Sequence, residues 1–596
     1  MKLFSRHSNT IGVLSFFILY FLYLWIWVNP SLYLIRGYRE FFTDSYFLWD
    51  YMRFPGYPIE YVARFITQLY AYPFISSFVI TAISFSIYKI TSRLFYSAKF
   101  RYWIAFVPVI VLMLMHNDYR HNIKFDLDIW VVCLFLRLFI SSFGYRKSGG
   151  VAFAILLAVL LYLNGIFTTI LFICMASAIC IWRKEKGRRL AEFGIATLLV
   201  FVVFHYLFYL SWHDFHQEYM DISRIYTFAY FPFVLYFSVL CMPALAYVTQ
   251  SVKDMPVKPV YTIPFVFLLL ILTLFLTLDR DERNGLSVQH HALNRNWDEA
   301  LAFARKCEYP DKDVVLYTNQ ALYFTGRLHD DLFLYNQSLG SEGLLATEIT
   351  NYSGIVPNQD VFLHLGAISL SIIWGTEAAN VYGANPYVLK NLVKAYLAGG
   401  YIIEADKILN QLERGLFNKK WVKQYRTFVK DTCLIEQDEE LSAYKQSQAP
   451  LAVVSTQNTL MNLFLLMKDS ETNRMAYDYL LVASLLEHKT DYFVSYLTAL
   501  KTYGYTTIPK LYFEGLVYNS LYSSQSPVNI REFSFDPNIM YRFDAFRNDL
   551  RSALQHPETA SIVLEEQYKD TYWYYLLFRS MLPNEEKITI LTRMTQ

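Results

Sequence analysis

The sequence predicts an all-α protein: a polytopic transmembrane helical domain of about nine spans, followed by an extracytoplasmic α-solenoid-like helical repeat domain. Three observations predict it. Residues 11–278 carry nine apolar runs, and residues 279–596 carry none long enough to cross a bilayer. The loops between the runs sort by chemistry, Lys and Arg gathering on one side and His, Asp, Glu and Tyr on the other. The C-terminal half also repeats a helical pattern, 315–337 aligning with 389–411.

Composition agrees with a membrane half. The chain is 55% hydrophobic and 18% aromatic, and aromatic rings at such density suit the headgroup level of a bilayer. The net charge of +2 gives no basic surface for nucleic acid, so no nucleic-acid partner is expected.

The first run, 11–29, follows Lys2 and Arg6 and ends in Trp25-Ile26-Trp27-Val28-Asn29-Pro30. That end suits an interfacial anchor rather than the small-residue site of a cleaved signal peptide, so the run reads as an uncleaved first span. The further spans are 72–90, 102–116, 127–143, 151–164, 166–182, 190–211, 226–247 and 260–278. Asn164-Gly165 is the only break between the fifth and sixth, which predicts a tight helical hairpin. With the N-terminus cytoplasmic, the inside segments carry clusters such as Lys89, Arg93, Lys99 and Arg101, or Arg183, Lys184, Lys186, Arg188 and Arg189. The outside loops carry fewer cations over more residues, as the positive-inside rule requires. An odd number of spans then places the C-terminal domain outside the cytoplasm. The expected organisation is 1–279 as the transmembrane domain and 280–596 as the extracytoplasmic helical domain, in a bacterial inner membrane.

In the C-terminal half, the aligned segments share Ala321/Ala395, Gly326/Gly400, Leu334/Ile408, Asn336/Asn410 and Gln337/Gln411. Ala, then Gly five residues on, then an amphipathic helix resembles the tetratricopeptide repeat, whose units bury a core by stacking. Residues 361–374 read as a buried helix and 523–537 as a surface loop. Cys133, Cys174, Cys180 and Cys241 fall in apolar runs, as packing residues. Cys307 and Cys433 could pair in an oxidising compartment, though two cysteines alone fix no pairing.

Three outside loops hold the residue types that chemistry needs. In 30–71, Asp44, Asp50, Arg53, Glu60 and Arg64 accompany many aromatics. Asp50 and Arg53 share a helix face, Glu60 and Arg64 are spaced to pair, and Phe54-Pro55-Gly56-Tyr57-Pro58 breaks the helix between them. The stretch 59–71 is amphipathic and suited to the membrane surface. The second loop, 116–128, packs His116, Asp118, Arg120, His121, Lys124, Asp126 and Asp128 together. The third, 212–221, adds His213 and His216; if the seventh span stays helical, His205, Tyr209, Trp212 and His216 form one stripe. A carboxylate at such a face can deprotonate an acceptor hydroxyl, Arg can hold a lipid phosphate through paired hydrogen bonds, and a divalent cation such as Mg2+ or Mn2+ can neutralise a leaving phosphate. The same acids can instead cap helices or pair with Arg, and the same histidines can be polar residues at helix ends. A metal set of His116, Asp118, His213 and His216 lacks helical ligand spacing.

This layout resembles the GT-C superfamily of integral-membrane glycosyltransferases, with FFTDSYFLWDYMR at the place of the first external motif and HNDYRHN at the second. The likeness covers about residues 1–280, and the acids stand apart as Asp44 and Asp50 rather than as a paired signature. The whole chain also resembles uncharacterised bacterial membrane proteins that join such a half to helical repeats. The GT-C resemblance implies transfer of a sugar or related group from a polyprenyl-phosphate-linked donor. It implies Asp44, Asp50 and Asp118 as catalytic acids or metal ligands. It implies Arg53, Arg64, Arg120, His116, His121, His205 and His216 at the substrate. The alternative expectation is a non-enzymatic envelope scaffold that binds a protein partner through its repeats. A transporter is disfavoured, since the hydropathy pattern shows neither interrupted spans nor internal symmetry.

Overall fold

The computed structural model describes residues 2–37, 40–96, 98, 101–143, 149–183, 187–209, 231–251, 277, 279–347, 353–448, 458–469, 472–521 and 533–596. Among these residues the protein is all-α, without a β-strand. It divides into two compact units, Met1–Arg280 and Asp281–Gln596.

In the first unit, three helical segments are long and apolar enough to cross a membrane: Ile11–Val28, Pro73–Leu94 and Gly187–Phe208. Their outward faces stay apolar, with Ile18, Phe78 and Leu198 well exposed, as lipid-facing residues would be. Phe106–Met115, Lys124–Leu138, Gly149–Asn164, Ile166–Trp182 and Phe231–Ser251 accompany them. Several of these are short for a bilayer. The 17 residues of Ile166–Trp182 rise about 25 Å at 1.5 Å per residue, against a hydrocarbon core of about 30 Å. The ninth expected span, 260–278, lies outside the described residues apart from Thr277.

The hairpin expected at Asn164-Gly165 is present. Gly165 takes φ of +88°, and the helix restarts at Ile166. The apex is also a docking point for the 30–71 loop. The Gly56 amide donates to the Tyr162 carbonyl at 2.8 Å, and the Tyr162 hydroxyl donates to the Met52 carbonyl at 2.8 Å. A Cβ on Gly56, itself at φ +88°, would stand 3.2 Å from the Gly165 Cα, so two glycines permit this approach.

The second unit is a succession of helical hairpins around a continuous apolar core. Several of its turns share one closure. The amide after a left-handed residue donates to the carbonyl five residues back, as in a Schellman motif. This occurs at Gly326 (Arg327 to Leu322, 2.8 Å), Gly366 (Ala367 to Phe362, 2.9 Å) and Gly400 (Tyr401 to Tyr396, 2.8 Å). It recurs at Arg295 and His488, which take φ of 60° and 55° without being glycine. Ala321 and Ala395, paired in the sequence alignment, are both fully buried. The aligned segments diverge after the turn: Ile402–Glu413 is a full helix, but Leu328–Asp331 is a single turn followed by Leu332–Leu334. Residues 361–374 fall in two helices, not one, Ile355–His364 and Ile368–Tyr382, because the chain reverses at Gly366. Cys307 and Cys433 are both free thiols.

Candidate functional site

Residues 30–71 and 116–128, the first and second loops, meet in the first unit. The Tyr33 hydroxyl donates to the His116 carbonyl at 2.5 Å, and the Tyr119 hydroxyl donates to the Val28 carbonyl at 2.9 Å. Pro58–Gln68, the amphipathic helix of the first loop, packs on Lys124–Leu138 and Gly149–Asn164. Its Glu60 and Arg64 pair at 3.4 Å, as their spacing predicts.

Beneath this junction lies a buried polar cluster. His116 ends the Phe106–Met115 helix, His121 sits in the turn that follows, and Asp126 lies in the first turn of Lys124–Leu138. The three side chains are wholly buried, and their ligand-type atoms lie within 4.8 Å of one another. The His121 Nε2 is 2.6 Å from the Asp126 Oδ2, and the His116 Nε2 is 3.4 Å from the Asp126 Oδ1. The His116 Nδ1 lies 2.7 Å from the Leu112 carbonyl, which can only accept, so the proton of a neutral ring sits on Nδ1. Burial pushes the His121 imidazole down to about 3, with Asp118 pulling the other way. A second buried acid, Asp128, is partnered: it accepts from Asn164 at 2.7 Å and from the Tyr236 hydroxyl at 3.4 Å.

The chain belongs to DUF6057, a family of unknown function. The family model matches residues 5–579 and so spans both units. No curated protein and no solved structure matches the chain.

In this family member the remaining sequence-derived candidates are dispersed. Asp44 is the N-cap of Ser45–Met52 and accepts from the Phe47 amide at 3.0 Å. Asp50 and Arg53 are exposed at the other end of that helix, with the Arg53 guanidinium 5.6 Å from the Phe54 ring. The Arg64 guanidinium lies 5.2 Å over Tyr51, among the tilted and edge-on rings of Phe41, Phe47 and Tyr61. Asp118 is buried and accepts from the Arg120 amide at 2.9 Å, leaving the Arg120 side chain exposed. His205 is exposed beside Tyr206, with ring centroids 5.4 Å apart. The stripe expected from His205 through Tyr209 to His216 is broken, because Gly187–Phe208 ends there and Tyr209 turns left-handed at φ 54°. His213 and His216 lie outside the described residues.

Thus the fold joins His116 and His121, which the sequence singles out, to Asp126, which it does not. The available signal was the placement of Asp126 just inside a helix start, where its carboxylate faces back toward the preceding turn.

The second unit has a polar cavity of about 790 Å3, lined by His329, Arg474, Tyr505, Lys510 and Arg542 among others. Asp478, almost fully buried, accepts from the hydroxyl of the lining Tyr505 at 2.5 Å and from the Tyr512 hydroxyl at 3.0 Å. Lys510 and Arg542 both bind Asp570, holding its carboxyl well below the usual carboxylate range despite burial, which would raise it.

Proposed function

We propose that the protein is a membrane-embedded transferase that moves a sugar, or a related group, from a lipid-linked carrier to an acceptor at the outer membrane face. The observation that supports it is the convergence of loops 30–71 and 116–128, joined by the Tyr33 bond to His116 and by the rings of Tyr33 and Tyr119, 5.3 Å apart. In this reading the membrane unit crosses about nine times with its N-terminus cytoplasmic, and the second unit stacks tetratricopeptide-like hairpins outside the inner membrane. Asp50 acts as the general base, since Asp44 is engaged as a helix cap. Arg53, Arg64 and Arg120 hold the lipid phosphate, and the exposed rings of Trp49 and Phe54 lie in the headgroup layer. Asp118 and the two histidines shape the second loop from below.

The test is transfer of a labelled sugar from a polyprenyl-phosphate donor in membranes holding the full chain. Asp50→Asn and Arg53→Gln are expected to lower transfer at least tenfold with unchanged protein levels. Full transfer by both variants, or none above an empty membrane by the native chain, would sink the reading.

The cavity in the second unit favours one further reading, an envelope scaffold that binds a partner there through Arg474 and its neighbours. Replacing residues 1–280 by an unrelated anchor distinguishes the two. A scaffold keeps its cellular role after the swap, and a transferase loses it.

A further inference from the structure

The cluster of His116, His121 and Asp126 poses a physical problem. The His116 Nδ1–H is directed at the Leu112 carbonyl, so Nε2 of the neutral ring carries a lone pair. That lone pair faces a carboxylate oxygen, the Asp126 Oδ1, 3.4 Å away. Neither atom has a hydrogen bond among the described residues, and both are buried. Two buried acceptors facing each other repel, and leaving each unsatisfied costs about 1–3 kcal/mol. Something positive between them removes the conflict.

We propose that His116, His121 and Asp126 bind a transition-metal dication of the zinc class. The donor set is the reason for that class. Two imidazoles and one carboxylate suit Zn2+ or a neighbouring first-row ion, whereas Mg2+ and Ca2+ select all-oxygen surroundings. Spacing agrees. Zinc bonds of about 2.0–2.2 Å place tetrahedral donors about 3.3–3.6 Å apart, and the His116 Nε2 and Asp126 Oδ1 stand at 3.4 Å. The second shell agrees too, because a ligating histidine usually gives its other N–H to a carbonyl, as His116 does to Leu112. The His121 Nε2, now 2.6 Å from the Asp126 Oδ2, becomes a ligand by moving its proton to Nδ1 or releasing it. The ion would tie the end of Phe106–Met115 to the start of Lys124–Leu138 and so fix the 116–128 loop. Three protein ligands leave a fourth position for water or substrate. The site stands whether or not the transfer reading does, since metal content is measured without a donor.

The test uses the full chain in detergent, with any affinity tag removed. Elemental analysis is expected to find about one transition ion per chain, and chelated protein refilled with Co2+ should show the visible bands of a four-coordinate site. His116→Cys should keep the ion and add an intense thiolate-to-cobalt band, which identifies residue 116 as a ligand. Asp126→Asn should lose the ion, while Asp128→Asn, a change at the acid already bonded to Asn164, should retain it. The proposal is overturned if the native chain holds no ion and takes up neither Zn2+ nor Co2+. It is equally overturned if Asp126→Asn binds as the native chain does, or if Asp128→Asn loses the ion to the same extent.

Discussion

At Asp44 the carboxylate accepts from the Phe47 amide and satisfies one of the donors that a helix start leaves free. Deleting that cap costs about 1 kcal/mol, and asparagine caps nearly as well as aspartate. Asp44→Ala is therefore expected to lower thermal stability modestly, with Asp44→Asn close to native and both retaining transfer. Loss of transfer in a stable Asp44→Asn protein would restore this residue as a catalytic acid. Glu514 presents the opposite case, an acid with too few partners. Its Oε2 accepts from the Tyr572 amide at 2.9 Å, its Oε1 has no hydrogen bond, and Lys510 stays 3.9 Å away. Burial pushes its carboxyl up to about 7, so the folded state binds a proton that the unfolded state releases near pH 4.3. Stability from this group is greatest below about pH 4.3 and falls as pH rises to about 7, by at most about 4 kcal/mol. Glu514→Gln removes that dependence. The variant should unfold at higher temperature than the native chain at pH 8, with the gain gone by about pH 4.5. An equal effect at both pH values would show that the carboxyl does not titrate on folding.

Among the elements, the left-handed turns of the second unit separate two costs. A Cβ at Gly400 meets nothing within 4 Å, so Gly400→Ala incurs only the left-handed backbone cost of about 1–2 kcal/mol. A Cβ at Gly366 would fall on the Ser447 carbonyl, so Gly366→Ala must also displace the chain at 447–448. Urea unfolding should therefore find Gly366→Ala destabilised well beyond Gly400→Ala, and similar values would mean that the Ser447 segment yields. The Arg295 turn adds a clamp: its guanidinium binds both oxygens of buried Asp360, at 2.7 and 2.8 Å, and Asn391 donates to the same carboxylate at 3.1 Å. Although burial favours the neutral acid, Arg295 and His364 hold Asp360 down to about 2. This contribution is full above about pH 4 and disappears only as pH falls through about 2. Arg295→Ala, which strands the carboxylate, should cost about 3–5 kcal/mol at neutral pH, and a much smaller loss would show that water repairs the site. These turns also show what the sequence made legible. Gly326 and Gly400 could be paired because glycine marks left-handed backbone, whereas Arg295 and His488 adopt the same conformation with nothing in their residue type to announce it. The His116–His121–Asp126 cluster was half legible for a related reason. Both histidines stood out as polar residues between apolar runs, but which of three nearby acids they face depends on the turn geometry and on Tyr33 closing from the first loop.

The whole molecule is built from two cores with different solvents. The first unit keeps large apolar side chains on its outside, among them Ile11, Ile195, Leu198 and Leu199, which only lipid or detergent can cover at low cost. The second unit places its large rings inside: Tyr477, Tyr479, Tyr512, Tyr572 and Trp573 are all fully buried. Three of them are also tied by polar bonds within the unit: Tyr477 to the Tyr496 carbonyl, Tyr512 to Asp478 and Tyr572 to the Leu485 carbonyl. A unit with its own continuous apolar core meets the physical condition for folding alone. Residues 281–596 expressed without the membrane unit are therefore expected to be soluble without detergent, helical by circular dichroism and cooperative in thermal unfolding. Residues 1–280 should leave solution on removal of detergent. If 281–596 instead aggregates or melts without a transition, its core depends on the membrane unit. The anchor-swap experiment would then lose its meaning, because a scaffold built on this unit could not survive transfer to another anchor.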